Sequence, residues 1–374
     1  MFLSLCSFVY KNFIKRIFFL FDPEIVHFIV IKFGYILGRL GFIVYFFDKL
    51  LNRRYPNLSF SIRDINFMSP VGLSAGFDKD GDLISLLPSL GFGHVEIGST
   101  TILPYKGNKR PRLKRLPFLK SIWVNFGLKN IGTKKVLEKF DKYAKFNFSY
   151  GLSIAKSNTK ENCKDEIAIQ DYLESFELAV RNKFLKYITI NISCPNTFGG
   201  EPFTDKYRLK SLLDALDKID RNQLVFVKMP ISLDDASFLE LVEEISRHKV
   251  DGLVIGNLLK DKSVLKGIKV EDILLKKGGL SGKPTFERSN QLIELTYRYY
   301  KERFIIVGCG GIFSAEDVIT KIKLGATLVQ LATGLIFEGP TLIYKINKDL
   351  SNWIRSIGLQ NVKDAVGIGI VSQL

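Results

Sequence analysis

Beyond residue 60 the chain repeats one pattern eight times. A short run that is apolar throughout precedes a longer stretch in which apolar positions recur every three to four residues. The apolar runs lie at 71–75, 95–97, 151–154, 187–191, 224–228, 252–256, 304–308 and 328–332. They are too short for buried helices and rich in β-branched side chains, which predicts strands buried on both faces. The stretches at 83–90, 134–144, 167–181, 207–219, 234–247, 288–300, 315–324 and 341–357 predict amphipathic helices. Eight β-then-α units over about 315 residues is the arithmetic of a (β/α)8 TIM barrel in the α/β class. A doubly wound open sheet is the alternative. The count of eight, and the lack of a G-x-G-x-x-G run after the first strand, favour the barrel.

The first 55 residues have a different texture. Phenylalanine, isoleucine, leucine and tyrosine crowd together, and Lys11, Lys15, Arg16, Lys32, Arg39, Lys49, Arg53 and Arg54 are threaded among them against Asp22, Glu24 and Asp48 only. Asp22-Pro23-Glu24 reads as a helix start, with a capping carboxylate, a proline suited to the first helical position and an acid at the positive end of the dipole. Helices are therefore expected over 7–20 and 23–38, with a third apolar stretch at 40–51. No run of 18 residues is free of charge, which argues against a simple bilayer span. The apolar stretch outlasts the core of a signal peptide, and no small-residue cleavage site follows it. Aromatics beside cations suit helices lying in a membrane interface. A hydrophobic helix pair packed on the body, or a span over 25–47, are the other readings. The expected division is 1–58 for a helical membrane-associating segment and 59–374 for the barrel.

Composition narrows the choice of partner. With 46% apolar and 25% charged residues, the chain of 374 is globular and not disordered. Four cysteines without a C-x-x-C pair and three scattered histidines give neither a disulfide framework nor a metal centre, so no metal is expected. The net charge of +16 invites an anionic partner. No nucleic-acid-binding signature accompanies it, so a membrane surface is preferred over nucleic acid.

In a barrel of this kind, residues just after each strand form the active site. Gly308-Cys309-Gly310-Gly311-Ile312 and Ala332-Thr333-Gly334 follow the last two strands, where backbone N–H groups of glycine turns cradle a phosphate. Lys79 and Lys228 fall at the mouth. A cationic mouth holding a phosphate and a planar anionic ring suggests flavin mononucleotide (FMN). The amides of Asn191, Asn196 and Asn257 both donate and accept, matching a ligand of alternating C=O and N–H groups such as a pyrimidine ring.

These residues belong to longer motifs. Ser69-Pro70-Val71-Gly72-Leu73-Ser74-Ala75-Gly76-Phe77-Asp78-Lys79, Gly91-Phe92-Gly93-His94-Val95-Glu96-Ile97-Gly98, Asn191-Ile192-Ser193-Cys194-Pro195-Asn196-Thr197 and Gly278-Gly279-Leu280-Ser281-Gly282-Lys283-Pro284 occur in order. Together they resemble the dihydroorotate dehydrogenases over nearly the whole chain. Phe21-Asp22-Pro23-Glu24 with His27 resembles the membrane-associated, quinone-reducing branch. The resemblance implies an FMN enzyme that oxidises (S)-dihydroorotate to orotate in pyrimidine synthesis, with a membrane quinone as acceptor. It places the protein peripherally on the cytoplasmic side of the cell membrane, or on an organelle's inner membrane. It assigns FMN contacts to Ala75, Gly76, Lys79, Ser99, Asn191, Lys228, Gly256, Gly282, Gly311, Ala332 and Thr333. Substrate contacts fall to Lys79, Leu128, Asn191, Asn196 and Asn257, and the quinone path to His27 and Arg112.

The base position holds Cys194, where the membrane branch usually has serine and the soluble branch cysteine. Val124 stands where the family's substrate loop carries an amide, and Leu128 and Ser153 also depart from the membrane branch. An FMN oxidoreductase acting on another dihydropyrimidine or cyclic amide, and a non-catalytic flavin-binding membrane protein, are the rival functions. As base, Cys194 would need help from the cationic mouth, since a free thiol is mostly protonated at neutral pH.

Overall fold

The structure, a computed structural model, describes residues 2–370. A hairpin of β1 (Phe60–Ile62) and β2 (Ile65–Phe67) opens the body. Eight strands then close a parallel barrel: β3 (Val71–Leu73), β4 (His94–Thr100), β7 (Ser149–Ile154), β8 (Leu185–Asn191), β9 (Leu224–Met229), β10 (Gly252–Ile255), β12 (Ile305–Cys309) and β13 (Leu328–Leu331). Neighbours follow chain order, and β13 pairs back onto β3 through Val329↔Val71. The strands are apolar on both sides because one side packs into the barrel and the other under helices, as the continuous apolar runs require. Polar side chains inside the barrel are bonded to each other. Thr189 and Gln330 both donate to Glu96, and His94 pairs with Tyr187.

Seven of the eight expected helices form near their expected limits, such as Thr133–Tyr143, Asp165–Val180 and Leu342–Ser356. The one expected at 83–90 does not. Only Leu87–Leu90 forms a 3-10 turn, because Pro88 lacks an N–H and disfavours helical backbone before it. Between β4 and β7 the pattern gave no sign of β5 (Leu113–Leu116) and β6 (Ser121–Val124), which pair antiparallel and add β11 (Gly279–Leu280) as a third strand.

The N-terminal extension comprises α1 (Phe2–Val9), a π-helical turn at Tyr10–Ile14, α2 (Lys15–Leu20), α3 (Pro23–Leu37) and α4 (Gly41–Leu51). Asp22 caps α3 by accepting from the Glu24 and Ile25 backbone N–H groups, as its sequence predicts. The extension is fastened to the barrel. Tyr10 donates to the Ile336 carbonyl at 2.8 Å, Lys345 donates to Ser7 at 2.6 Å, and Phe19 meets Phe337 edge-on at 5.5 Å. Its other face is bare: Phe2, Phe8, Phe13, Ile17, Leu20, Phe28, Phe33 and Phe42 are exposed, Leu20 by 83%. Among the described residues no single helix is long and apolar enough to cross a membrane. Only α3 and α4 together reach that standard, and they are bent by 104°.

Candidate active site

A cavity of about 600 Å³ runs from the extension to the barrel mouth. Its outer walls are Leu3, Tyr10, Phe18, Phe19, Val26, Val30 and Phe33 from the helices, with His27, Leu113 and Arg115 further in. Its inner end is lined by Ala75, Gly76, Lys79, Ser99, Leu128, Asn191, Cys194, Asn196, Lys228, Asn257, Ala332 and Thr333. A smaller adjoining space of about 100 Å³ shares Ala75, Lys228, Asn257, Ala332 and Thr333, and adds Gly256, Gly282, Thr285, Gly310 and Gly311. Every sequence-predicted site residue except Arg112 lines one of these two spaces.

The reason for Arg112 lies in the strand it precedes. Side chains alternate across a strand, so Leu113 and Arg115 share the cavity face of β5 while Arg112 and Lys114 turn the other way. Arg112 is buried and donates to both oxygens of Glu24 at 2.7–3.0 Å, and to the Lys106 and Asn108 carbonyls. Arg110 and Lys129 complete the ring around Glu24. Burial pushes the Glu24 carboxyl up, but the Arg112 hydrogen bonds and the surrounding cations win and hold it below its ordinary value. Arg112 therefore anchors α3 to the barrel loops, and Arg115 takes the place on the cavity wall. Arg115 donates to the Phe21 carbonyl at 2.8 Å and stacks over the Phe19 ring. His27 packs edge-on against Phe77, and burial with Lys79 and Lys129 nearby pushes its imidazole down to about 3, so the ring is neutral.

At the inner end a chain of hydrogen bonds fixes the amides. The Asn191 amide donates to Ser99, which shares a 2.7 Å bond with Ser153. Ser193 donates to the Asn191 side-chain oxygen, and Asn257 donates to the Ser193 hydroxyl at 2.7 Å. Lys79 lies 4.2 Å from the centre of the Phe126 ring, and burial lowers its ammonium to about 8. Cys194 faces the cavity from the loop after β8. Burial pushes its thiol up to about 11, outweighing the Asn196 backbone N–H, Lys156 and Lys228, which pull it down. The help that a thiol base needs from the cationic mouth is present, but desolvation exceeds it.

The residues fit an FMN. Lys228 is buried and donates to Ser74 at 3.4 Å; among the described residues no carboxylate pairs with its ammonium, and it lines both spaces. A Cβ on Gly76 would meet nothing within 4 Å, so the backbone there faces open space. In the smaller space Gly282, Gly310 and Gly311 all have positive φ, a backbone that bares N–H groups to a phosphate. Among the described residues no group of three or more His, Cys, Asp or Glu could hold a metal.

Comparisons with known proteins agree with this arrangement. The family model for dihydroorotate dehydrogenase matches residues 57–354. A dihydroorotate dehydrogenase (quinone) of Trichodesmium erythraeum is 34% identical over 329 residues, covering 86% of each chain. That of Christiangramia forsetii is 34% identical over 346 residues, covering 91% of this chain and 98% of its own. The crystal structure of DHODH in complex with ferulenol from Eimeria tenella superposes with a TM-score of 0.81 at 26% identity, covering 93% of this chain and 95% of that one. The ligand-free Eimeria tenella structure gives 0.80 at 27%, covering 94% and 100%. A family match over most of the sequence and relatives alike nearly end to end leave one conclusion: the chain belongs to the dihydroorotate dehydrogenase family.

Proposed function

We propose that the protein oxidises (S)-dihydroorotate to orotate, with FMN as cofactor and a membrane quinone as final acceptor, in pyrimidine synthesis. The observation that carries this reading is the continuity of one cavity from the exposed apolar helices, past His27 and Arg115, to Lys79, Asn191, Cys194 and Lys228. An apolar quinone enters from the helix side, and the polar substrate occupies the amide-lined end. Residues 1–58 serve as the quinone segment and 59–374 as the flavin barrel. The bare face of the extension rests on the membrane surface, peripherally, on the cytoplasmic side or on an organelle's inner membrane.

Lys228, Ser99, Asn191 and Lys79 would hold the flavin ring beside Ala75 and Gly76, and Gly256, Gly282, Gly311, Ala332 and Thr333 its ribityl phosphate side. Held by these residues, FMN would supply the two-electron acceptor between C6 of dihydroorotate and the quinone. Cys194, as thiolate, takes the proton from C5 as the C5–C6 double bond forms. Asn191, Asn196 and Asn257 orient the ring through paired C=O and N–H contacts, with Leu128 against it, and the Lys228 ammonium balances negative charge at the cofactor. The test is anaerobic mixing: dihydroorotate should bleach the flavin absorbance, and a ubiquinone should restore it. Flavin that stays oxidised under excess dihydroorotate overturns the substrate assignment.

A further inference from the structure

Two irregular segments meet over the substrate end of the cavity. One follows β6 and carries Phe126, Gly127 and Leu128. The other follows β8 and carries Cys194, Pro195 and Asn196. Gly127 and Leu128 have positive φ, so this stretch cannot continue the β6 ladder and its backbone groups need other partners. Side-chain amides from two further loops supply them. Asn158, after β7, donates to the Gly127 carbonyl at 2.9 Å and accepts from the Phe198 N–H at 2.7 Å. Asn108 donates to the Asn196 carbonyl at 3.0 Å and to the Asn125 side-chain oxygen at 3.2 Å, while its own N–H binds the Phe126 carbonyl. Each amide therefore holds both segments at once. Neither side chain lines the cavity.

We propose that Asn158, seconded by Asn108, is a positioning residue that clasps the base-bearing segment to the substrate segment and so fixes Cys194 against C5 of the substrate. This role rests on the reading of Cys194 as the base. Asn158 is 3% exposed, and only an amide can fill its place, since it must donate to one segment and accept from the other. An aspartate keeps the Phe198 bond and loses the Gly127 bond; a leucine keeps neither. Lys156, two residues earlier, donates to the Phe198 carbonyl at 2.7 Å and holds the base segment from the same side. That contact does not reach the substrate segment; Asn196 does reach its start, donating to the Val124 carbonyl at 3.2 Å, while Asn158 and Asn108 hold the stretch beyond it.

The experiment uses full-length, FMN-loaded protein and the variants Asn158→Asp, Asn158→Leu and Cys194→Ala. Anaerobic stopped-flow follows flavin reduction by dihydroorotate, and separately reoxidation by a short-chain ubiquinone. Loosening the base by about 1 Å should slow reduction by about 10- to 100-fold. Reoxidation should stay within about twofold of wild type, since the quinone approaches from the other end of the cavity. The isotope effect with C5-deuterated dihydroorotate should rise in the Asn158 variants, while that with C6-deuterated substrate should not. Hydrogen exchange should quicken at 124–130 and 194–200 together.

Wild-type reduction rates in both Asn158 variants, with Cys194→Ala slow, would overturn the clasp and leave the base intact. Reduction and reoxidation falling in parallel with lost FMN would also overturn it, as a general structural role. If Asn158→Leu fails to fold, the near-isosteric Asn158→Asp carries the test. Wild-type reduction in Cys194→Ala would overturn the base assignment itself.

Discussion

The pH dependence of flavin reduction tests the proposed base most directly. Burial lifts the Cys194 thiol from 9.0 to about 11. At that value the thiolate is about one molecule in 10⁴ at pH 7, against about one in 10² for an unshifted thiol. Each pH unit between 7 and 10 then multiplies the reactive form about tenfold. The rate of flavin reduction by saturating dihydroorotate, plotted logarithmically, should climb with a slope near one to about pH 10. An unshifted thiol would level off near pH 9. Replacing Cys194 by alanine should lower the rate by roughly 10²–10⁴ and flatten the profile, with FMN content unchanged. Replacing it by serine should retain part of the rate and move the rise to still higher pH. The assay is single-wavelength anaerobic stopped-flow from pH 6 to 10.5, with flavin absorbance checked for stability at each pH. A plateau by pH 9 would refute the argument that burial outweighs the cations. A profile that is flat in wild type and unchanged in Cys194→Ala would show that the proton leaves by another route.

Three further substitutions follow from the geometry. Lys228→Met should weaken FMN retention by at least about tenfold, measured as flavin released per chain on dilution, because the proposed site assigns this buried ammonium to the cofactor. Arg115→Ala should raise the KM for quinone several-fold and leave flavin reduction by dihydroorotate intact, since Arg115 is held on the helix side of the cavity by the Phe21 carbonyl and the Phe19 ring. Arg112→Ala should instead destabilise the fold by about 3 kcal/mol at pH 7, read as a lower unfolding midpoint, because it strips the main partner from a buried carboxylate. Since the folded state holds Glu24 below its unfolded value of 4.5, this stability is present above pH 4.5 and lost as pH falls beneath it, so the gap between wild type and Arg112→Ala should narrow in acid.

The barrel was legible because each of its strands is apolar on both faces, a signal that survives without knowledge of neighbours. Gly76, Lys79, Gly256 and Gly311 could be placed at the mouth because they follow those strands, and Lys228 because it ends one, whereas Gly282 came only from the family motif. Pro88 was present in the sequence and should have vetoed the helix at 83–90. The exchange of Arg115 for Arg112 had a subtler cause. Telling the two apart needs the parity of β5, and β5 is short, basic and built on pairing with β6, so its pattern says nothing until its partner is known. The bridging role of Asn108 and Asn158 was not legible for another reason. Their partners are mostly backbone atoms, 31 and 40 residues away for Asn158 and 88 for the Asn108 bond to Asn196, and a backbone acceptor leaves no trace in residue identity.

The adjacency of Ser193 and Cys194 explains how a site can carry a thiol where a hydroxyl is more usual. The Ser193 hydroxyl donates its one proton to Asn191 and accepts from Asn257, tying together two of the amides that line the cavity. Turning that hydroxyl into the cavity would break both bonds. Cys194 carries no such duty and turns to the cavity. Val124 presents an apolar side chain to the same cavity, and its carbonyl is taken by Asn196. A hydroxyl buried there would lose a hydrogen bond it needs, whereas a thiol behaves as a small hydrophobe and loses little. The same dryness makes the thiolate scarce, but a base of higher pKa is also a stronger one, so Brønsted behaviour returns part of what the population loses. On this argument Val124→Asn, with Cys194 kept, should ease the thiol's ionisation and weaken it as a base at the same time.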